Sequence, residues 1–221
     1  IGKNVGKKWM AAVMAALVTV AAAAGCGKTD KAGAEERKER NSITVAASSD
    51  TGSMDPAGSI ALTYLTYSVS ALDELLTFDA DGEIDYRAAE SYEVNEDSTV
   101  WTFHLREEAA WSDGTPVTSA DFLNTMTRAL DPKSGSGYAN YLFPIRNAEA
   151  IYNGEMESGE LGVETPDDYT LIFYLEKPCV YFLDLLRLPV YTPSCSTYAK
   201  ETGSGWDTDP ETSVSNGPFY L

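Results

Sequence analysis

Residues 99–132, "TVWTFHLREEAAWSDGTPVTSADFLNTMTRALDP", constrain the fold more than any other stretch, because they hold a strand and a helix with their boundaries marked. Trp101, Phe103 and Leu105 alternate with Thr102, His104 and Arg106, the period of a strand with one buried face. "SDG" is turn chemistry, and Pro116 fixes φ as the turn ends. Thr118 stands three residues before Asp121, the capping-box spacing at a helix start. The helix is expected through "DFLNTMTRAL", with Phe122, Met126 and Ala129 or Leu130 facing inward, and "DP" at 131–132 stops it. Trp111 supplies an apolar anchor beside the turn. Every polar residue of "WSDGTPVTSADF" thus has a local structural task, and the crowding implies architecture rather than an active site.

The same reading extends along the chain. "SITVAA" at 42–47 is a short β-branched strand, and "SSDTGSMDPAG" at 48–58 is a loop rich in breakers. From Ile60, the spacing of Leu62, Leu65, Val69, Leu72 and Leu76 predicts a helix, with Tyr64, Tyr67 and Ala71 adding a second apolar face. "LLTFDADGEIDYR" is strand, tight turn, strand. Its carboxylates fail as a calcium loop, since the sixth position, where glycine is required, is Ile84 and the glycine is fourth. "SYEVNEDSTVWTFHLR" makes a second hairpin. "LGVETPDDYTLIFYLEKP" makes a third, with Tyr169, Leu171, Phe173 and Leu175 on one face. "RNAEAIYNGEM", closed by Asn153 and Gly154, and "YFLDLLRL" are short helices, and "SNGPFYL" reads as the start of a strand. Alternating hairpins and helices point to an α+β or mixed α/β lobe.

Charge and rare residues narrow the function classes. The net charge is −18, but residues 1–40 hold 8 Lys/Arg against 4 Asp/Glu and the remainder 8 against 30. That acidic body argues against a nucleic-acid partner, which needs a basic face. His104 is the sole histidine and lies on the polar side of its strand, so neither a His-based triad nor a multi-His metal centre is expected. Cys179 and Cys195 allow either a disulfide or two buried thiols.

The N-terminus accounts for the charge asymmetry. Lys3, Lys7 and Lys8 precede "WMAAVMAALVTVAAAA", 16 residues without a charge. As a helix that run spans about 24 Å, short of the roughly 30 Å hydrocarbon core. A basic start, a short apolar middle and small residues describe a secretory signal. "AAGC" at 23–26 resembles the lipobox of bacterial lipoproteins, with Ala23 where leucine is usual and Cys26 as the lipidated residue. An ordinary signal peptide with an incidental cysteine is the other reading. Residues 27–41, polar and charged, are expected to form a flexible tether.

A broader resemblance rests on "YEVNEDSTVWTFHLREEAAWSDGTPVTSADFLNTMTRALDP", "YANYLFPIRNAEAI", "LGVETPDDYTLIFYLEKP" and "SNGPFYL". These are similar to the oligopeptide-binding proteins of bacterial ABC importers, the extracellular solute-binding proteins of family 5. The resemblance runs from about Ser42 to Leu221. It implies a periplasmic-binding-protein type II-like α/β (mixed α+β) lobe with an inserted α+β subdomain at 77–186. Residues 42–76 and 187–221 would form part of the first lobe, with the second lobe missing from this chain. It also implies capture rather than catalysis, no cofactor and no metal. An extended peptide would pair with main-chain groups as an added strand, and ABC importer permease subunits would be the partners. Aligning "SMDP" places the ligand-binding main chain at Ile60, Ala61 and Leu62, residues that serve equally well as helix start and core. Tyr138 and Tyr141 are candidates to line the cleft or to pack elsewhere. With the lipobox, the resemblance implies attachment by a lipid anchor to the outer face of the cytoplasmic membrane.

Two alternatives stay open. One keeps the class but changes the ligand to a dipeptide, a metal chelate or another small molecule. The other is a surface-anchored hydrolase, which needs a carboxylate pair about 5–10 Å apart that no spacing here singles out.

Overall fold

In the computed structural model the described residues are 53–58, 70–197, 207, 209 and 212–219. They belong to one compact unit, Ala47–Leu221. The first 46 residues, including the signal, Cys26 and most of "SITVAA", lie outside the described residues, as do Ile60, Ala61 and Leu62.

Two antiparallel sheets follow one another. Strands β1 (Leu76–Phe78) and β2 (Ile84–Tyr86) form a hairpin. Its turn is closed by Asp79, whose Oδ1 accepts the amides of Asp81 and Glu83, while Gly82 takes φ +83°. The carboxylate suspected of holding calcium is therefore capping a turn. Strands β3 (Ala89–Val94), β4 (Val100–Leu105), β5 (Val163–Asp167) and β6 (Thr170–Tyr174) form a four-stranded sheet in the order β3-β4-β6-β5. Phe103 faces Leu171 and Trp101 faces Phe173 across the β4–β6 pair.

The alternation expected of β4 is present: Trp101, Phe103 and Leu105 are buried and Thr102 and His104 are not. His104 sits beside Glu93 of β3, with Nε2 3.9 Å from its carboxylate. On the buried face Phe103 meets Phe173 edge-on at 5.8 Å, and Phe182 stacks against both Trp101 and Phe173. Tyr191 completes the aromatic cluster, 6.0 Å from Phe182. Each of these buried rings contributes on the order of 1.5–3 kcal/mol of apolar burial.

Helix α1 (Ser119–Ala129) starts where the Thr118/Asp121 spacing places it. The Asp121 carboxylate accepts the Thr118 amide at 2.9 Å, and Phe122, Met126, Ala129 and Leu130 are buried. Ser119 also donates from its amide and hydroxyl to the carbonyls of Asp168 and Asp167, fastening the helix start to the β5–β6 turn. Helices α2 (Ala148–Tyr152) and α3 (Phe182–Leu185) are short, and Gly154 takes φ +74° just beyond α2, as the Asn153-Gly154 stop requires. "YANYL", expected as loop, contains a 3₁₀ turn at Ala139–Leu142.

Three expectations need correcting. The apolar stripe through Leu72 and Leu76 overruns its helix: residues 70 and 71 are helical, Leu72 leaves the helix, and Leu76 begins β1. The stripe continues because Leu72, Leu75 and Leu76 are all buried, and burial alone does not distinguish helix from strand. "SNGPFYL" forms bends through Phe219 instead of a strand. The amides of Gly217 and Phe219 bond the carbonyls of Ala71 and Ser70, a helix end rather than a neighbouring strand, and Pro218 has no amide to offer. Cys179 and Cys195 settle the third point, being buried as two thiols with no disulfide between them. Among the described residues no helix is long and apolar enough to cross a membrane.

Candidate functional site

The loop at 53–58 leads into Ile60, and its own geometry is explicit. Asp207 is 4% exposed, and its Oδ2 accepts the Ser53 hydroxyl at 2.6 Å and the amides of Met54 and Asp55 at 2.5 and 2.8 Å. One carboxylate oxygen thus grips three successive residues that lie 152 to 154 positions away. Asp55 then turns the chain, its Oδ1 accepting the Ala57 amide at 3.0 Å.

The other oxygen of Asp55 is paired with Arg128, in the last turn of α1. Arg128 extends its second nitrogen to Ser194 Oγ at 3.2 Å. Ser194 also accepts from Asn124 and lies 2.9 Å from the Thr125 hydroxyl. Burial pulls the Arg128 guanidinium down from its ordinary value, and the charge of Asp207 opposes that shift. A cation held among Asp55, Asp207 and Ser194 is the arrangement that makes such a half-buried charge tolerable.

One turn earlier, Asp121 serves as a second hub. It is 3% exposed and accepts the Trp111 indole at 3.2 Å, the Thr118 amide and hydroxyl, and the Ser196 amide at 2.8 Å. The "WSDG" turn is tied in turn to the chain near its end, with the Ser112 amide 2.7 Å from the Ser215 carbonyl. Asn216 bonds the main chain of Asp73 through both of its side-chain atoms. Trp111 therefore does more than fill space beside a turn: its indole nitrogen helps fix the start of α1.

Tyr138 and Tyr141 stack at 5.8 Å, with Tyr141 41% exposed. The Tyr141 carbonyl accepts the hydroxyl of buried Tyr191 at 2.9 Å, so this loop is pinned to the segment that carries Ser194. Asp55, Arg128, Ser194 and Asp207 are the residues that sequence reasoning missed. Arg128 reads locally as a cation suited to a helix C-terminus, and nothing near Asp207 marks it.

Chemically, this arrangement holds backbone in place. Its carboxylates and its guanidinium are engaged with internal partners. Among the described residues no group of three His, Cys, Asp or Glu side chains could hold a metal ion.

Comparison with known proteins identifies the scaffold. Residues 83–221 match the family described as bacterial extracellular solute-binding proteins, family 5 Middle. The chain belongs to that family, and its mixed α/β fold is the family's own. The periplasmic oligopeptide-binding protein OppA of Escherichia coli K12 is 36% identical over 214 residues, covering 96% of this chain and 38% of the relative. A probable deoxycholate-binding periplasmic protein, YgiS, from the same organism is 35% identical over 175 residues, 78% of this chain and 32% of the relative. Among solved structures, the substrate-binding domain of an oligopeptide ABC transporter from Bacillus anthracis superposes with a TM-score of 0.78 at 36% identity. That match covers 83% of this chain and 35% of the other. The chain thus spans well under half the length of the relatives it matches.

Proposed function

We propose that this chain is part of an extracytoplasmic receptor that captures oligopeptides and delivers them unchanged to an ABC importer permease. The observation that carries the reading is the likeness to an oligopeptide transporter's substrate-binding domain, at 36% identity and a TM-score of 0.78 along most of the chain. The anchored loop at 53–58 supports it, because a receptor that pairs with a peptide's main chain needs a rigid edge to present. In this reading Ile60, Ala61 and Leu62 supply that edge. Residues 42–76 and 187–221 belong to one lobe, 77–186 form a subdomain inserted into it, and a second lobe closes over the ligand. Lipidation of Cys26 tethers the receptor to the outer face of the cytoplasmic membrane.

The deoxycholate-binding relative favours a second reading, in which the same scaffold takes a small non-peptide ligand. Native mass spectrometry of the complete gene product, purified without added ligand, separates the two. Mass increments that sequence as intact short peptides are expected. An apo mass unmoved by a peptide mixture but raised by deoxycholate overturns the peptide reading. Palmitate labelling of the wild type that persists in Cys26→Ser overturns the anchor.

A further inference from the structure

We propose that Arg128 and Asp207 are positioning residues that set the ligand-contacting main chain at 60–62, an inference that rests on the receptor reading above. The segment before Ile60 has little freedom of its own. Ser53, Met54 and Asp55 are each bonded to Asp207 Oδ2. The Ala57 amide is held by Asp55 Oδ1 and the Gly58 amide by the Asp55 carbonyl at 3.2 Å. Ile60 lies two residues past Gly58, no more than about 7 Å of extended chain. Wherever Asp55 is placed, the edge that follows is placed with it.

Arg128 is what places Asp55. It stands on α1, an element fixed at its start by Asp121 and by the β5–β6 turn. One arm of the guanidinium takes Asp55 and the other takes Ser194. Asp207 grips the same loop and lies close enough to act on the Arg128 charge. The loop is therefore referenced to the sheet subdomain through α1 and to the segment around Ser194 at once. A planar, forked cation can do this, whereas a lysine ammonium reaches one of the two partners.

The test uses the complete gene product and three variants: Arg128→Lys, Asp207→Asn and, as a control in the sheet core, Phe173→Leu. Hydrogen exchange of amides 57–63 is followed in the free protein, and affinity is measured by titration with tetra-alanine and with a random tripeptide-to-pentapeptide library. Arg128→Lys and Asp207→Asn are each expected to speed exchange at 57–63 and to weaken peptide binding about tenfold, equivalent to about 1.4 kcal/mol. Phe173→Leu is expected to lower thermal stability with affinity within about twofold of wild type. Unchanged exchange at 57–63 in both clamp variants overturns the positioning role. So does a loss of affinity in Phe173→Leu that matches theirs at equal loss of stability. Faster exchange in a wild-type background that binds neither peptide probe retains the clamp and removes the peptide reading instead. Asp207→Asn keeps the decision open to measurement if Arg128→Lys fails to fold, since it leaves the Arg128–Asp55 pair in place.

Discussion

Replacing Asp121 with alanine should cost this fold more than any other surface-to-core polar change, and the bonds show why. The carboxylate is 3% exposed, so water does not replace it freely. Its removal strands the Trp111 indole N–H and the Ser196 amide, both of which point at it. A buried donor left without a partner costs about 1–3 kcal/mol. The Thr118 amide at the helix start loses its acceptor as well, worth about 1 kcal/mol. Neighbouring losses do not add fully, so the expected total is about 3–5 kcal/mol. That is a large share of the roughly 5–15 kcal/mol that holds a domain together. Asp121→Asn keeps one acceptor oxygen but turns an amide N–H towards either Ser196 or the Trp111 side, and should cost about 2 kcal/mol. Urea unfolding followed by tryptophan emission and far-ultraviolet dichroism reads both, with an unchanged m-value showing that the same surface is exposed. A loss below about 1 kcal/mol for Asp121→Ala at constant m would refute the reasoning, because the stranded donors would then have found equal partners.

Three further outcomes follow from single contacts. A Cβ on Gly217 would lie 2.7 Å from the Ala71 carbonyl carbon and 2.9 Å from the Leu72 nitrogen, all main chain, so Gly217→Ala should lower stability by about 1–3 kcal/mol, read as a fall in the urea midpoint. Burial raises the Glu74 carboxyl above its ordinary value, so its protonated form favours folding and that favour is lost as pH rises through the folded-state value. Glu74→Gln should accordingly stabilise the protein at pH 7, with the gain vanishing below about pH 4 in a pH series of melting temperatures. Burial, then the charges of Cys179 and Tyr181, push the Tyr191 phenol far upward, so above about pH 10 the unfolded chain loses a proton that the folded one keeps, and stability falls. Tyr191→Phe should flatten that alkaline slope, and an unaltered slope would assign it to other groups.

What could be read from the sequence was whatever neighbours along the chain decide between themselves. The alternation of β4, the Thr118/Asp121 start of α1 and the Asp79–Gly82 turn all depend on residues within four positions of one another, and all are present. The apolar stripe from Leu62 to Leu76 misled for the same reason, since a local period cannot tell a buried strand from one more helical turn. The clamp was invisible because its partners are distant: Arg128 and Asp55 are 73 positions apart, and Asp207 and Ser53 are 154 apart. Each member already had a sufficient local explanation, Asp55 as a turn residue before Pro56 and Arg128 as a helix-end cation.

That concealment has a physical basis tied to the proposed function. "WSDGTPVTSADF" carries the most recognisable pattern in the chain because its turn, cap and anchor each demand a particular side chain. Main-chain pairing with an extended ligand makes no such demand, since every residue but proline offers the same N–H and C=O. A receptor of this kind therefore writes its family into the scaffold and leaves its binding edge almost unmarked. What the edge does require is a fixed position, and a fixed position is supplied from elsewhere, by groups such as Asp207 and Arg128 that never meet the ligand. Specificity for chain length or ligand class would then be sought in how far that edge can move, rather than in the side chains of Ile60, Ala61 and Leu62.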